Sequence, residues 1–178
     1  MRYQLSSTLF LLTLIPVVAS AQTAAPDLSD PEVAHVAVTA DNIDIDFGKL
    51  ALSRTHDSEV KNFASMMVRD HTGVNEKAVA LAKKLGVTPK DNAVSQSLES
   101  GAKDAKAKLD PLKGTDFDRA YIEHEIAYHQ AVLDALNQTL IPTTENAELK
   151  GLLTQVKSAI EAHLAYAKKI GEKVQASK

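Results

Sequence analysis

The sequence predicts an all-α fold, a bundle of four long helices. Three observations carry this. Apolar residues recur at alternating spacings of three and four along most of the chain, the period of a helix face turned to a core. Almost no stretch alternates with the period of two that strands need. Only 4% of residues are aromatic, so the core must be built of Leu, Ile, Val and Ala.

The elements follow in order. Arg2, the apolar run Leu5 to Val18 and the small residues Ala19-Ser20-Ala21 have the layout of a secretory signal peptide over residues 1–21. That run is too short and wrongly flanked for a membrane span. Residues 22–29 read as a loose linker, and 30–178 as a single domain. Ser29 or Asp30 as N-cap, Pro31 and Glu32 open the first helix, which runs to about Ser53. Its seam can be read as Val33, Ala37, Ala40, Asp44, Phe47, Ala51, or as Val36, Ala40, Ile43, Phe47, Leu50. Residues 54–57 form a short connection, which makes the next helix an antiparallel neighbour. The second seam is Val60, Ala64, Met67, His71, Val74, Ala78, Leu81, Leu85, stopped by Gly86.

Residues 87–114 form a long crossover. Val94, Leu98, Ala102, Ala105 and Leu109 give it a short amphipathic helix of its own. Thr115-x-x-Asp118 reads as a capping box for the third long helix, with the seam Ile122, Ile126, His129, Leu133, Leu136, Leu140. After a turn at Ile141-Pro142-Thr143-Thr144 comes the fourth, with Leu149, Leu153, Val156, Ile160, His163, Ala167, Ile170 and Val174. Two tight antiparallel pairs joined by one long crossover between helices 2 and 3 is the connectivity of a ferritin-like four-helix bundle.

Composition narrows the function. The net formal charge is −3 with both signs interspersed, which argues against nucleic acid or an anionic membrane as partner. There is no cysteine, which excludes disulfides, a thiol nucleophile and lipoprotein anchoring. There is no glycine-rich phosphate loop and no nucleophile elbow. A periplasmic or secreted location, with no membrane span, is expected from the signal.

What remains is a polar layer. His71, His129 and His163 each occupy a seam position where a bundle wants Leu, on three different helices, and Asp44 lies on the fourth. Counting 1.5 Å per residue from the helix ends puts His71 and His129 nearly level. Asp44 and His163 come out lower by about 3–7 Å. Met67 and Glu125 stand one turn before His71 and His129, on the same faces. Imidazoles and a carboxylate converging at mid-bundle can hold Zn, Cu, Fe or Mn. A Met neighbour favours Cu(I), and a Glu neighbour favours Fe, Mn or Zn. Asp70 and Tyr128 are candidates for supporting the imidazoles from outside.

A metal-free layer that fixes helix register reads the same residues, and would suit an envelope protein with a structural, stress-related or partner-binding role. A metal-and-water hydrolase or oxidase is a third reading. The chain has no Glu-x-x-His, so di-iron oxygen chemistry is not expected. His35, His56 and His124 read as surface residues, Phe117 and Tyr121 as core, Asp116 and Asp118 as caps.

Asp44-x3-Gly48-Lys49-Leu50-Ala51, Val60-Lys61-x-Phe63-Ala64-x2-Met67-Val68-x-Asp70-His71, Asp116-Phe117-Asp118-x2-Tyr121 with His129, and His163-Leu164 together resemble the exported domain-of-unknown-function family DUF4142. The resemblance spans about residues 31–170. It implies a ferritin-like fold and a secreted or outer-membrane setting, and little about activity. Asp44 stands where that family usually has Glu, and Glu125 where it commonly has Met, which weakens the soft-metal reading.

Overall fold

A computed structural model describes residues 27–176. The expected signal peptide, most of the expected linker and the last two residues lie outside them. The described residues form helices and no strand: α1 (Asp30–Arg54), α2 (Ser58–Leu85), α3 (Ala93–Leu109), α4 (Gly114–Ala135), a π-helical turn (Leu136–Leu140), a single turn α5 (Ile141–Thr143) and α6 (Ala147–Ala176). The all-α bundle with its long helical crossover is thus observed. α1 pairs with α2 and α4 with α6, while α3 lies across α1 and α4.

Local chemistry sets the ends. The Ser29 backbone N–H and hydroxyl both donate to Glu32, at 3.1 and 2.6 Å, and Pro31 sits in the first turn. Asp30 accepts from the backbone N–H groups of Glu145 and Asn146, both at 2.9 Å, which ties the start of α1 to the start of α6. Gly86 ends α2 at φ 65°, and Val87 N–H reaches back to the Ala82 carbonyl. That left-handed stop is what the glycine permits. The crossover is pinned at both ends. Lys90 N–H donates to the Pro31 carbonyl beside the start of α1. At the other end the Arg54 guanidinium donates to the carbonyls of Leu109, Asp110 and Leu112 and stacks over the Phe117 ring at 4.3 Å. The crossover as a whole therefore runs back along the length of α1, and α2 and α4 run in the same direction.

Several expectations are corrected. The cap of α4 is Lys113, with no side-chain bond, and Gly114 enters the helix at φ 54°. The Thr115-x-x-Asp118 box does not form; Asp118 is instead buried and Asp116 pairs with Arg119. The turn expected at residues 141–144 is reached by helix that continues through the π turn to Thr143. Leu28, in the expected linker, is buried against Val33 and its neighbours in the core.

The core has two apolar halves. One holds Phe47, Val60, Phe63, Met67, Phe117, Tyr121 and Ile170. The other holds Val33, Val36, Leu136, Leu140, Leu153 and Ile160. Along each bundle helix the sequence passes from one half to the other through buried polar residues: Asp41 and Asp44 on α1, His71 on α2, Glu125 and His129 on α4, His163 on α6. Burying such groups is costly without partners, so their pairing is the question the fold poses.

Candidate metal centre

The layer is assembled by close helix approach. On α1, Gly48 faces α2 so tightly that a Cβ there would lie 2.9 Å from a Val68 methyl and 3.1 Å from the Ala64 carbonyl oxygen. One turn before Gly48 stands Asp44, and one turn after Met67 stands His71. The near contact of the two backbones is what lets a short aspartate side chain reach the imidazole.

His71, His129 and His163 all point inward. Their ring centroids lie 6.0 Å (His71 to His129), 5.3 Å (His71 to His163) and 5.5 Å (His129 to His163) apart. The three rings thus form one cluster, whatever offset the helix ends give them. A ligand atom from each of the three histidines can be chosen so that all lie within 4.8 Å of one another, and the same holds for Asp44, Glu125 and His129. His129 belongs to both sets.

Each imidazole has one nitrogen engaged from outside. His71 Nδ1 lies 2.6 Å from Asp41 Oδ1. His129 Nδ1 lies 2.9 Å from the backbone carbonyl of Glu125, which can only accept, so Nδ1 carries the proton. His163 Nε2 lies 3.1 Å from Asp70 Oδ2. The opposite nitrogens, Nε2 of His71, Nε2 of His129 and Nδ1 of His163, are buried and make no hydrogen bond. Holding one ring nitrogen by a carboxylate or carbonyl fixes the tautomer and aims the other, the arrangement that supports metal-bound histidines. Asp44 Oδ2 stands 3.1 Å from His71 Nε2 and 3.3 Å from His129 Nε2.

The charges are uneven. Burial opposes charge on His71, but Asp41 and Asp44 outweigh it and push the imidazole up to about 10. Burial pushes His129 down to about 4, with the charge of His71 acting the same way. Burial also lowers His163. Burial works against the Asp44 carboxylate, yet its contact with His71 and the charges of the three imidazoles hold it below the usual carboxylate range. Burial and the nearby Asp44 raise Glu125 well above that range, so it keeps its proton. Metal-free, the layer is thus a protonated His71 between two aspartates, beside two neutral imidazoles and a neutral Glu125.

The six residues expected at the site are all buried. His71, His129, His163, Asp44 and Glu125 come together, while Met67 packs among the apolar core residues one turn below His71. Asp70 does hold an imidazole. Tyr128 does not: its hydroxyl donates to the Ala40 carbonyl at 3.0 Å. His124 is half-buried, its ring packed on Phe47 at 4.2 Å and on Tyr128 at 5.7 Å. His56 is exposed, and His35 is only partly covered, 3.8 Å from Asp91. Asp41 is the member of the buried polar layer that sequence reasoning missed. The available signal was its spacing of three from Asp44 on an otherwise apolar stripe.

Among the described residues no helix is long and apolar enough to cross a membrane. The fold is similar to that of a solved structure, CopM in the Cu(II)-bound form, with a TM-score of 0.62 over 83% of this chain and 99% of that one. At 17% identity the likeness concerns the fold alone. No curated protein matches the sequence significantly. The profile of a family described as a domain of unknown function, DUF4142, matches residues 16–170. The helical bundle and its polar layer therefore belong to a member of the DUF4142 family.

Proposed function

We propose that this protein is an exported metal-binding bundle that holds one divalent transition-metal ion through His71, His129 and His163, with Asp44 as the acid. One observation carries the reading: three buried imidazoles, each held at one ring nitrogen by a group outside the cluster, converge around the buried Asp44, which stands 3.1 and 3.3 Å from the other nitrogens of His71 and His129. The spacing agrees. Ligand atoms about 2.0–2.1 Å from a tetrahedral ion stand roughly 3.3 Å apart, and Asp44 Oδ2 lies 3.1 and 3.3 Å from the two Nε2 atoms. Three imidazoles and one carboxylate suit Cu(II) or Zn(II), with copper ahead in the general affinity order. The Cu(II)-bound form of CopM, of similar fold, makes copper the first metal to try. Glu125 and Met67 stand in reserve, Glu125 once deprotonated and Met67 for reduced copper. Export rests on the signal-like residues 1–21, and the reading stops at binding without catalysis.

A metal-free register layer remains the rival, favoured by the pairing of His71 with Asp41 and Asp44. Metal analysis of protein purified from its native host without a tag separates the two. One ion per chain is expected, along with a rise in melting temperature when Cu(II) or Zn(II) is added to stripped protein. At a free metal concentration a hundred times Kd the stabilisation should be about 2.7 kcal/mol, and His129→Ala should abolish it. A protein that carries no metal and melts unchanged with Cu, Zn, Mn or Fe supports the rival.

A further inference from the structure

The second seam was expected to be core along its whole length, yet above His71 it is not. Val74, Ala78, Leu81 and Leu85 are only half-buried, and Val79 beside them is 62% exposed. These residues face a cavity of about 230 Å³ between α1, α2, α4 and α6. α6 supplies Leu153, Val156 and Ile160 to the opposite wall, and α1 supplies Ala34 and Ala37, where larger residues would have filled the space. The walls are apolar and the floor is not: Asp41, Asp44, His71 and His129 close the lower end.

We propose that this cavity is a second binding site, which takes one small apolar molecule with its neutral hydroxyl turned down to Asp44. Size, shape and charge each limit the occupant. An engineered apolar cavity of about 150 Å³ is enough for benzene, so the volume here admits a substituted ring or a short branched chain. The polar end must meet two aspartates and the one imidazolium of His71 between them, a floor of net negative charge that repels an anionic head. The carboxylates of Asp41 and Asp44 that line this end accept hydrogen bonds and do not donate, so the head group that fits is a donor. The occupant class is therefore that of phenols and compact alcohols. The body of such a molecule touches only the apolar walls, so binding does not require a metal below.

Phenol titrated into the full chain, stripped of metal and kept in chelator, tests this by methyl NMR. Saturable shifts are expected at Leu153, Val156 and Ile160, with benzoate binding at least tenfold more weakly. Ala78→Leu, which fills the wall, should raise the Kd for phenol at least tenfold while the circular dichroism spectrum stays as in the parent. Ala37→Leu repeats the test from the α1 side should the first variant not fold. No shifts at millimolar phenol, shifts confined to the outer surface, or binding that neither variant weakens would overturn the site. Benzoate binding as tightly as phenol would overturn the assignment of the head group. Because metal is absent throughout, these outcomes are independent of whether the layer binds an ion.

Discussion

His71 and His129 are neighbours, their rings 6.0 Å apart, yet their proton affinities move in opposite directions. For the metal-free protein this has a consequence for stability. His129 falls from 6.5 to about 4 in the folded state. Its contribution is therefore present above pH 6.5 and lost as pH drops through 4, a change of about 3 kcal/mol at roughly 1.4 kcal/mol per pH unit. His71 rises from 6.5 to about 10. Its contribution is present below pH 6.5 and lost as pH climbs through 10, a change on the order of 5 kcal/mol. Near pH 6.5 both imidazole contributions are present in full. Urea unfolding in chelator at intervals from pH 4.5 to 10 measures the curve. Carboxylates held low, such as Asp44 and Glu32, lose their contribution only as pH falls further, whereas Glu125 and Asp41, raised by burial, lose theirs as pH climbs above the ordinary carboxylate range and oppose the acid arm, so the difference between parent and variant isolates the imidazole. His129→Leu should lose most of the parent's rise in stability between pH 4.5 and 6.5, leaving the contribution of His163 and the opposing ones of Glu125 and Asp41, and spare the alkaline arm. A variant whose acid arm runs parallel to that of the parent would refute the assignment of the buried neutral imidazole to position 129.

Two further expectations follow from the same packing. Asp41→Asn weakens the support behind His71 Nδ1 and should reduce metal affinity about 10–100-fold while the helical content is kept, read by competition against a chelator. Gly48→Ala gains about 1 kcal/mol of helix propensity but drives a methyl against Val68 and the Ala64 carbonyl. Overpacking of this kind costs about 1–3 kcal/mol, so a net loss of up to about 2 kcal/mol is expected. Val68→Ala should then cost less in the Gly48→Ala background than in the parent; equal costs would show that the two helices do not meet there.

The sequence alone determined the helices, their faces and their order. The period of 3.6 writes a burial pattern directly onto the chain, and Pro31, Gly86 and the long stretch 87–114 mark where the helices begin, stop and cross over. It also brought out the seam histidines, because an imidazole on an apolar stripe is visible without any partner. Which groups meet those imidazoles was decided only by packing. Asp41 meets His71 because Gly48 lets α1 and α2 approach closely, and that distance lies between helices, not along one. Tyr128 was lost to the Ala40 carbonyl and His124 to the Phe47 ring for the same reason: α3 and α1 cover that flank of α4. The cavity was equally invisible, since Ala78 and Leu81 keep the helical period whether or not a neighbour comes near enough to bury them. Periodicity specifies a direction from the helix axis, and only the tertiary structure supplies what stands in that direction and how far away.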